Sequence, residues 1–322
     1  MRQRYLGNTG LKVSRLGLGT WTWGTDVDER EAGAQLRAFV TAGGTLVDTA
    51  SGYGRGASET LLGQLLRDGV SRDEVVLATK AGITYSGSEW VHDVSRGAML
   101  RSLDVSLQRL GVGYVDLWQV QIASADVPVD ETLSALDAAV TSGRARYVGI
   151  SNYAGWQTAQ AATVQLSAPG RTPLASTQME YSLLQRGIER EVVPAAQQLG
   201  LGILAWSPLG RGVLTGKYRA GVPANSRGAS QAFAEYVGQF LNPAEARIVE
   251  AVCKAAEGLD LSPLQVALAW VRDQPGVTAP LVGARTASQL AASLSTESVA
   301  LPDEIVEALD DVSAPPLGYP EA

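Results

Sequence analysis

The sequence predicts an α/β fold: a closed (β/α)8 TIM barrel of parallel strands, each followed by a helix. Three observations predict it. Eight short apolar runs alternate with segments of helical period along the 322 residues. Most runs are spaced by about 30 residues, the size of one strand–helix unit. Turn residues mark the joints, and one large barrel of about 250 residues or more accounts for the length. The whole chain, 1–322, is therefore read as one barrel domain.

Each element follows in order. Arg4–Lys12 carries an Asn8-Thr9-Gly10 turn between short extended runs, a β-hairpin suited to plugging the barrel floor. The strands are read at Leu16–Leu18, Leu46–Val47, Val75–Ala78, Tyr114–Val120, Tyr147–Ile150, Leu174–Met179, Gly202–Ala205 and Val277–Val282. Their ends fall near residues 18, 48, 79, 119, 151, 180, 206 and 282. Leu36, Phe39 and Val40 share a helical face that Gly43-Gly44 ends. Met99, Leu100, Leu103, Leu107 and Leu110 share another, with Ser95 as N-cap and Gly111 as stop. Asp130 is read as the cap of a helix carrying Leu133, Leu136, Ala139 and Val140, which stops near Gly143. The gap after strand seven is much longer. It holds a glycine-rich polar stretch, Ser207–Gln239, read as a long loop over the active face, then helical patterns near 243–257 and 262–273. A loop of that length inside a compact fold is functional or disordered. A helix over Leu301–Val312 and a tail over Pro315–Pro320 follow the last strand.

Composition narrows the function. Apolar residues are 45% and charged residues 18%, enough for a large core. There is no run of about 18 apolar residues, so no membrane span is expected. Met1–Tyr5 carries charge with no apolar segment behind it, so no signal peptide is expected. The one cysteine, Cys253, excludes an internal disulfide and fits a reducing cytoplasm. A net charge of −7 argues against nucleic acid as a partner, and an anionic cofactor would need a local cationic pocket. The one histidine, His92, excludes a histidine-rich metal site. Zinc, P-loop and G-x-S-x-G motifs are also missing.

In a parallel barrel, residues just past the strand ends gather on one face. Asp48 follows strand two, Tyr53 lies five residues on, and Lys80 follows strand three. Each alone is an ordinary loop residue, but the three at consecutive strand ends make a proton-donating set. Asp48 can orient a charged Lys80, and Lys80 can lower the Tyr53 pKa from about 10. Tyr53 can then protonate a carbonyl oxygen as hydride arrives at the carbon. Gly52-Tyr53-Gly54-Arg55-Gly56-Ala57 also fits the G-x-G-x-x-A pattern of a dinucleotide fold. That alternative expects an acidic residue near the next strand end, where Lys80 stands instead.

Six segments extend this pattern. They are Asp48-Thr49-Ala50-x-x-Tyr53-Gly54 with Glu59, Ala78-Thr79-Lys80, Gly149-Ile150-Ser151-Asn152-Tyr153, Thr177-Gln178-Met179-Glu180-Tyr181-Ser182, Ala205-Trp206-Ser207-Pro208-Leu209-Gly210, and Gly283-Ala284-Arg285 with Gln289. In them the chain resembles the aldo-keto reductase family, in its bacterial type and related to the potassium-channel β-subunit-like branch. The likeness runs from Leu16–Trp21 to Gln289. It implies an NADPH-dependent oxidoreductase acting on a small-molecule carbonyl, a ketone or aldehyde of the sugar or natural-product kind. It implies NADPH/NADP+ as cofactor, with Gly19, Thr20, Trp21 and Asp48 beside it. Ser151, Asn152 and Gln178 would hold the nicotinamide carboxamide, and Trp206 would stack on the ring, followed by Ser207, Pro208, Leu209 and Gly210. Arg211-Gly212 and Leu214–Lys217 resemble a pyrophosphate clamp, with Gly212 and Lys217 in contact. Gly283, Arg285 and Gln289 would take the adenosine phosphate. Ser293 stands where the family usually carries an asparagine for the adenine. A guanidinium beside a helix start suits a phosphate monoester, which favours NADPH over NADH. A rim salt bridge is the other use for Arg285.

One departure stands out. The family's fourth strand usually ends Asp-Leu-Tyr-Gln-x-His, and here it reads Asp116-Leu117-Trp118-Gln119-Val120-Gln121. The fourth catalytic residue beside Asp48, Tyr53 and Lys80 is thus Gln121. Its amide can donate to a carbonyl but does not titrate near neutral pH. The resemblance offers two precedents: steroid double-bond reductases carry glutamate here and channel β subunits asparagine. C=N or activated C=C reduction, or cofactor binding with weak turnover, are therefore the alternatives. Trp21, Trp23 and Trp90 fall in strand-end loops and are read, with Tyr53, as substrate walls, packing of the loops being their other use. Trp118 is read as core and Trp156 as structural. His92 is read as a solvent-facing loop histidine, with a place at the substrate as the alternative.

Overall fold

A computed structural model describes residues 1–316 and 318, apart from 88 and 232. Eight parallel strands close into a barrel: β1 (Gly17–Gly19), β2 (Leu46–Asp48), β3 (Val76–Ala81), β4 (Val115–Val120), β5 (Ala145–Ser151), β6 (Leu174–Glu180), β7 (Gly202–Trp206) and β8 (Val277–Val282). β8 pairs with β1 through Leu281↔Gly17 and Val282↔Leu18, which closes the ring. The eight predicted strands are the eight observed. Eleven helices flank them among the described residues. They are α1 (Glu29–Thr41), α2 (Ala57–Asp68), α3 (Arg96–Leu110), α4 (Val129–Thr141), α5 (Gly155–Ser167), α6 (Val192–Leu199), α7 (Ala234–Gly238), α8 (Pro243–Leu259), α9 (Pro263–Asp273), α10 (Ala287–Leu294) and α11 (Asp303–Ser313).

Strand period two sets what points where. Leu46, Ala78, Leu117, Ala175, Leu204, Ala279 and Leu281 fill the barrel interior, joined by Leu6 and Val13 of the N-terminal hairpin. That hairpin pairs Gln3–Tyr5 with Lys12–Ser14, and Asn8 N–H bonds Gly200 O just before β7. It therefore plugs the N-terminal end, as its turn predicted. The outward residues Leu18, Val47, Leu77, Trp118, Val148, Ile150 and Ile203 pack instead against helix residues such as Leu36, Phe39, Leu62, Met99, Leu103 and Leu136. One step beyond the inner apolar layer, the same alternation turns Asp48, Lys80, Gln178 and Trp206 inward at the C-terminal end.

Local chemistry sets the helix ends. Asp28, Asn242, Ser262 and Thr286 accept backbone N–H bonds as N-caps of α1, α8, α9 and α10. Gly111 ends α3 in the left-handed region at φ 67°. Ser95 occupies the predicted N-cap of α3 but makes no side-chain cap bond. Asp130 is not a cap. α4 begins one residue earlier, Pro128 holds the cap position, and Asp130 sits in the first turn beside the helix dipole. The glycines of Gly52–Ala57 serve a turn rather than a phosphate. Gly56 has φ 94°, and a Cβ there would lie 2.2 Å from the Arg109 guanidinium. The closed barrel, in place of an open doubly wound sheet, overturns the dinucleotide-fold alternative.

Two rim segments differ from expectation. The stretch after β3, read as loop, is an antiparallel hairpin pairing Ile83–Ser86 with Glu89–His92. Tyr85 stacks on Trp90 at 4.1 Å, and the Arg55 guanidinium lies 4.5 Å from the Tyr85 ring. The stretch Ser207–Gln239 is ordered by its own turns, 3-10 turns at Gly210–Thr215 and Arg227–Ala229 and then α7. Arg211 ties it down. Its guanidinium ion-pairs with Glu180, bonds Tyr236 O and Gln239 Oε1, and lies 3.8 Å from the Tyr236 ring. The tail read over Pro315–Pro320 lies partly outside the described residues.

Candidate active site

A cavity of about 790 Å³ opens at the C-terminal ends of the strands. Asp48, at the end of β2, and Lys80, in β3, form its floor. Lys80 Nζ donates to Asp48 Oδ2 at 2.5 Å, and both side chains are almost wholly buried. Gln178 Nε2, from β6, donates to Asp48 Oδ1 at 2.9 Å. Both carboxylate oxygens are thus occupied. Tyr53 stands in a turn after β2, half-buried, with Lys80 Nζ 5.1 Å from its ring centroid. Behind this floor, Glu59 is fully buried, accepts from the Thr79 hydroxyl at 2.7 Å and pairs with Arg109.

The electrostatics correct one expectation. Burial opposes the Lys80 charge, but Asp48 and Tyr53 outweigh it and hold the ammonium above its ordinary range. Burial also pushes the Tyr53 phenol up, and Lys80 offsets only part of that rise. The net shift of Tyr53 is upward, not the downward one predicted from its lysine neighbour. Desolvation of the phenolate is the larger effect.

The adjoining strand ends carry a hydrogen-bonded chain. Ser151 Oγ donates to Gln178 O at 2.8 Å. Asn152 Nδ2 donates to Gln121 O at 2.9 Å and to Ser151 Oγ at 3.1 Å. Trp206 Nε1 donates to Asn152 Oδ1 at 3.1 Å. Asn152, Ser207 and Arg211 have φ of 58°, 56° and 59° and all line the cavity. Such left-handed non-glycine residues cost energy and gather where a site demands a particular geometry.

The cavity also carries cations. Lys217, Arg227 and Arg285 line it, and none forms a salt bridge among the described residues. Burial, with repulsion from Arg285 and Arg227, holds the Lys217 ammonium below its ordinary range. Arg285 donates to Asn225 O and forms no rim salt bridge among the described residues. Gln289 Oε1 accepts from the Arg285 N–H at the start of α10. Three cations that form no salt bridge among the described residues suit phosphate groups.

Most predicted residues meet here. Gly19, Trp21, Asp48, Tyr53, Lys80, Trp90, Gln121, Ser151, Asn152, Gln178, Trp206–Leu209, Gly212, Lys217, Gly283, Arg285, Gln289 and Ser293 all line the cavity. Others do not. Trp23 is a correction: it is fully buried in the core, and its Nε1 donates to Gln35. A loop position does not decide exposure, because its loop folds back over α1. Thr20 lies behind the wall, bonded to Asp48 O and Ser58. Gly210 is buried against Leu184. Arg211 lines the cavity, but its guanidinium is committed to Glu180, so it is no free phosphate clamp. Trp118 is core as predicted, whereas Trp156, read as structural, is 64% exposed. His92, on the rim hairpin, is exposed and lines the cavity. Arg227 and Tyr236 went unnoticed in the sequence. Their only signal was a loop too long and too basic for a simple connection.

Comparison with known proteins agrees with this architecture. Residues 15–314 match the Aldo/keto reductase family. The chain is 37% identical to an uncharacterized oxidoreductase, YrpG, of Bacillus subtilis (strain 168), over 100% of this chain and 99% of that one. It is 34% identical to a probable voltage-gated potassium channel subunit beta of Oryza sativa subsp. japonica, covering 97% and 96%. It is 36% identical to L-glyceraldehyde 3-phosphate reductase of Escherichia coli (strain K12), covering 90% and 86%.

Asp48→Ala strands the buried Lys80 charge and should cost about 3–5 kcal/mol of stability in urea unfolding at pH 7. Burial then depresses the folded lysine pKa, so the unfolded chain binds more protons and stability rises with pH. The deficit should shrink as pH approaches about 10. A loss below about 1 kcal/mol, or one that grows with pH, would contradict the pairing.

Proposed function

The chain belongs to the aldo/keto reductase family, and from that premise we propose an NADPH-dependent reductase of small-molecule ketones or aldehydes. One observation carries the proposal. The buried Asp48–Lys80 pair and Tyr53 share one cavity with Lys217, Arg227 and Arg285, which form no salt bridge among the described residues. The cofactor, when bound, supplies hydride.

The residues divide the remaining work. Tyr53 donates the proton to the carbonyl oxygen, and its raised pKa keeps the phenol protonated through neutral pH. Lys80 stabilises the phenolate left behind, with Asp48 fixing its position. Gln121 offers an amide donor to the same oxygen without changing charge. Ser151, Asn152 and Gln178 fit the nicotinamide carboxamide, and Trp206 offers the ring an aromatic face. Lys217 and Arg227 fit the pyrophosphate. Arg285, Gln289 and Ser293 fit the adenosine 2′-phosphate end, with Arg285 favouring NADPH. Trp21 and Trp90 wall the substrate side. The whole chain is proposed to act as one unit, in the cytoplasm.

A second function, cofactor binding with little turnover, is supported by the relative named as a channel subunit. NADPH oxidation against a carbonyl panel separates the two. Tight NADPH binding with no acceptor reduced favours the second.

Tyr53→Phe should lower carbonyl reduction by about 100- to 10,000-fold while NADPH still binds. Unchanged turnover would refute the acid assignment. Arg285→Ala should raise the Kd for NADPH roughly 10- to 100-fold, and that for NADH far less. Equal losses in a fluorescence titration would remove its phosphate role.

A further inference from the structure

The turn that carries Tyr53 is strained. Gly54, Arg55 and Gly56 follow the tyrosine with φ of 54°, 57° and 94°, a left-handed run. Arg55 is not a glycine, so this conformation costs energy and persists only where its surroundings fix it. Several contacts do so. Ser51 N–H donates to Lys80 O at 3.0 Å, and Arg55 Nη1 donates to Gly87 O of the rim hairpin at 2.8 Å. A further tie comes from outside the barrel, from Arg109 in the last turn of α3. Its Nη1 donates to Ser51 O at 3.2 Å and to Glu59 Oε2 at 3.2 Å. The guanidinium lies against Gly56, where a Cβ would overlap it.

The base of this arm is fixed as well. Gly63 of α2 is buried, and a Cβ there would overlap Arg109 O and Leu110 O, so the two helices touch through their backbones. Glu59, also on α2, is fully buried and accepts from the Thr79 hydroxyl at 2.7 Å. Thr79 is the residue before Lys80 in β3. Arg109 thereby connects α3, α2, β3 and the Tyr53 turn. The charges of Glu59 and Arg109 also suit the first turn of α2 and the last turn of α3, a use that would serve stability alone. Helix dipoles do not account for the bond to Ser51 O or for the fit against Gly56, both of which lie outside α3.

Resting on the carbonyl-reductase function, we propose that Arg109 is a positioning residue for proton transfer. Anchored by Glu59, it holds the strained turn so that the Tyr53 ring stays beside Lys80, whose Nζ lies 5.1 Å from the ring centroid. Neither Arg109 nor Glu59 is among the described residues that line the cavity, so the pair acts only through the turn. Small shifts matter there. A reacting group displaced by about 1 Å can lose on the order of 100-fold in rate.

Arg109→Met alone strands the buried Glu59 charge and would mix misfolding with mispositioning. The test therefore pairs Arg109→Met with Glu59→Gln, which leaves no unpaired charge and keeps the acceptor for Thr79. Amide hydrogen exchange over Ser51–Gly56 should quicken roughly 10-fold or more, with exchange in β6 unchanged. Single-turnover reduction of 4-nitrobenzaldehyde by bound NADPH should slow roughly 10- to 100-fold, while the Kd for NADPH stays within about twofold. Repeating the paired substitution in Tyr53→Phe separates positioning from structure. With the phenol gone there is no acid to position, so the further loss should be less than about threefold. A pair that serves stability alone would cost the same factor in both backgrounds. Equal losses in the two backgrounds, or unchanged exchange in the turn, overturn the inference and leave the reductase function standing. A wild type that binds NADPH but does not reduce the aldehyde, or a Tyr53→Phe protein as fast as wild type, overturns both.

Discussion

The Asp48–Lys80 contact is the constraint on which the site depends. A lysine with its side chain 2% exposed can stay charged only beside a counter-charge, and Asp48 provides it at 2.5 Å. Asp48 in turn is held by Gln178 from the far side of the barrel. One carboxylate therefore joins β2, β3 and β6 across the interior. The ammonium it positions sits under Tyr53. If the pair were lost, the phenol would keep its burial but lose the cation that makes its phenolate tolerable.

The barrel makes this pair possible. Its floor is apolar and plugged by Leu6 and Val13, so the inward polar residues have only the C-terminal mouth to face. Strand period two then does the placing, with Leu46 deep and Asp48 at the rim, Ala78 deep and Lys80 at the rim. The same cavity is lined by the buried Asp48–Lys80 pair, by Tyr53 and by Lys217, Arg227 and Arg285. The proposed phosphate-bearing cofactor would use both groups.

Much of this was legible in the sequence, because it rests on short-range pattern. Apolar runs at regular spacing predicted the eight strands, and polar residues just past them predicted Asp48, Tyr53 and Lys80, whereas Gln121, Ser151 and Gln178 came from the family resemblance. What depends on three-dimensional packing was not legible. Trp23 and Trp21 both sit in the first strand-end loop, yet one is core and the other lines the cavity. Arg211 carries the charge expected of a clamp, but Glu180, one strand away, takes it. Asp130 has the chemistry of a cap and misses that position by two residues. The rise in the Tyr53 pKa depends on burial, which no spacing of residues reports.

The family resemblance puts Gln121 where a histidine is usual, and a titrating histidine there would add a second ionisation to the site. In the proposed function, proton delivery belongs to Tyr53 alone, held protonated by its surroundings. The most direct measurement is the pH dependence of kcat/KM for carbonyl reduction. Reduction needs the phenol protonated, so the rate should be flat through neutral pH and fall only above about 10, with no limb near 6.5. A limb near neutral pH, or a rate that rises with pH above about 10, would contradict it.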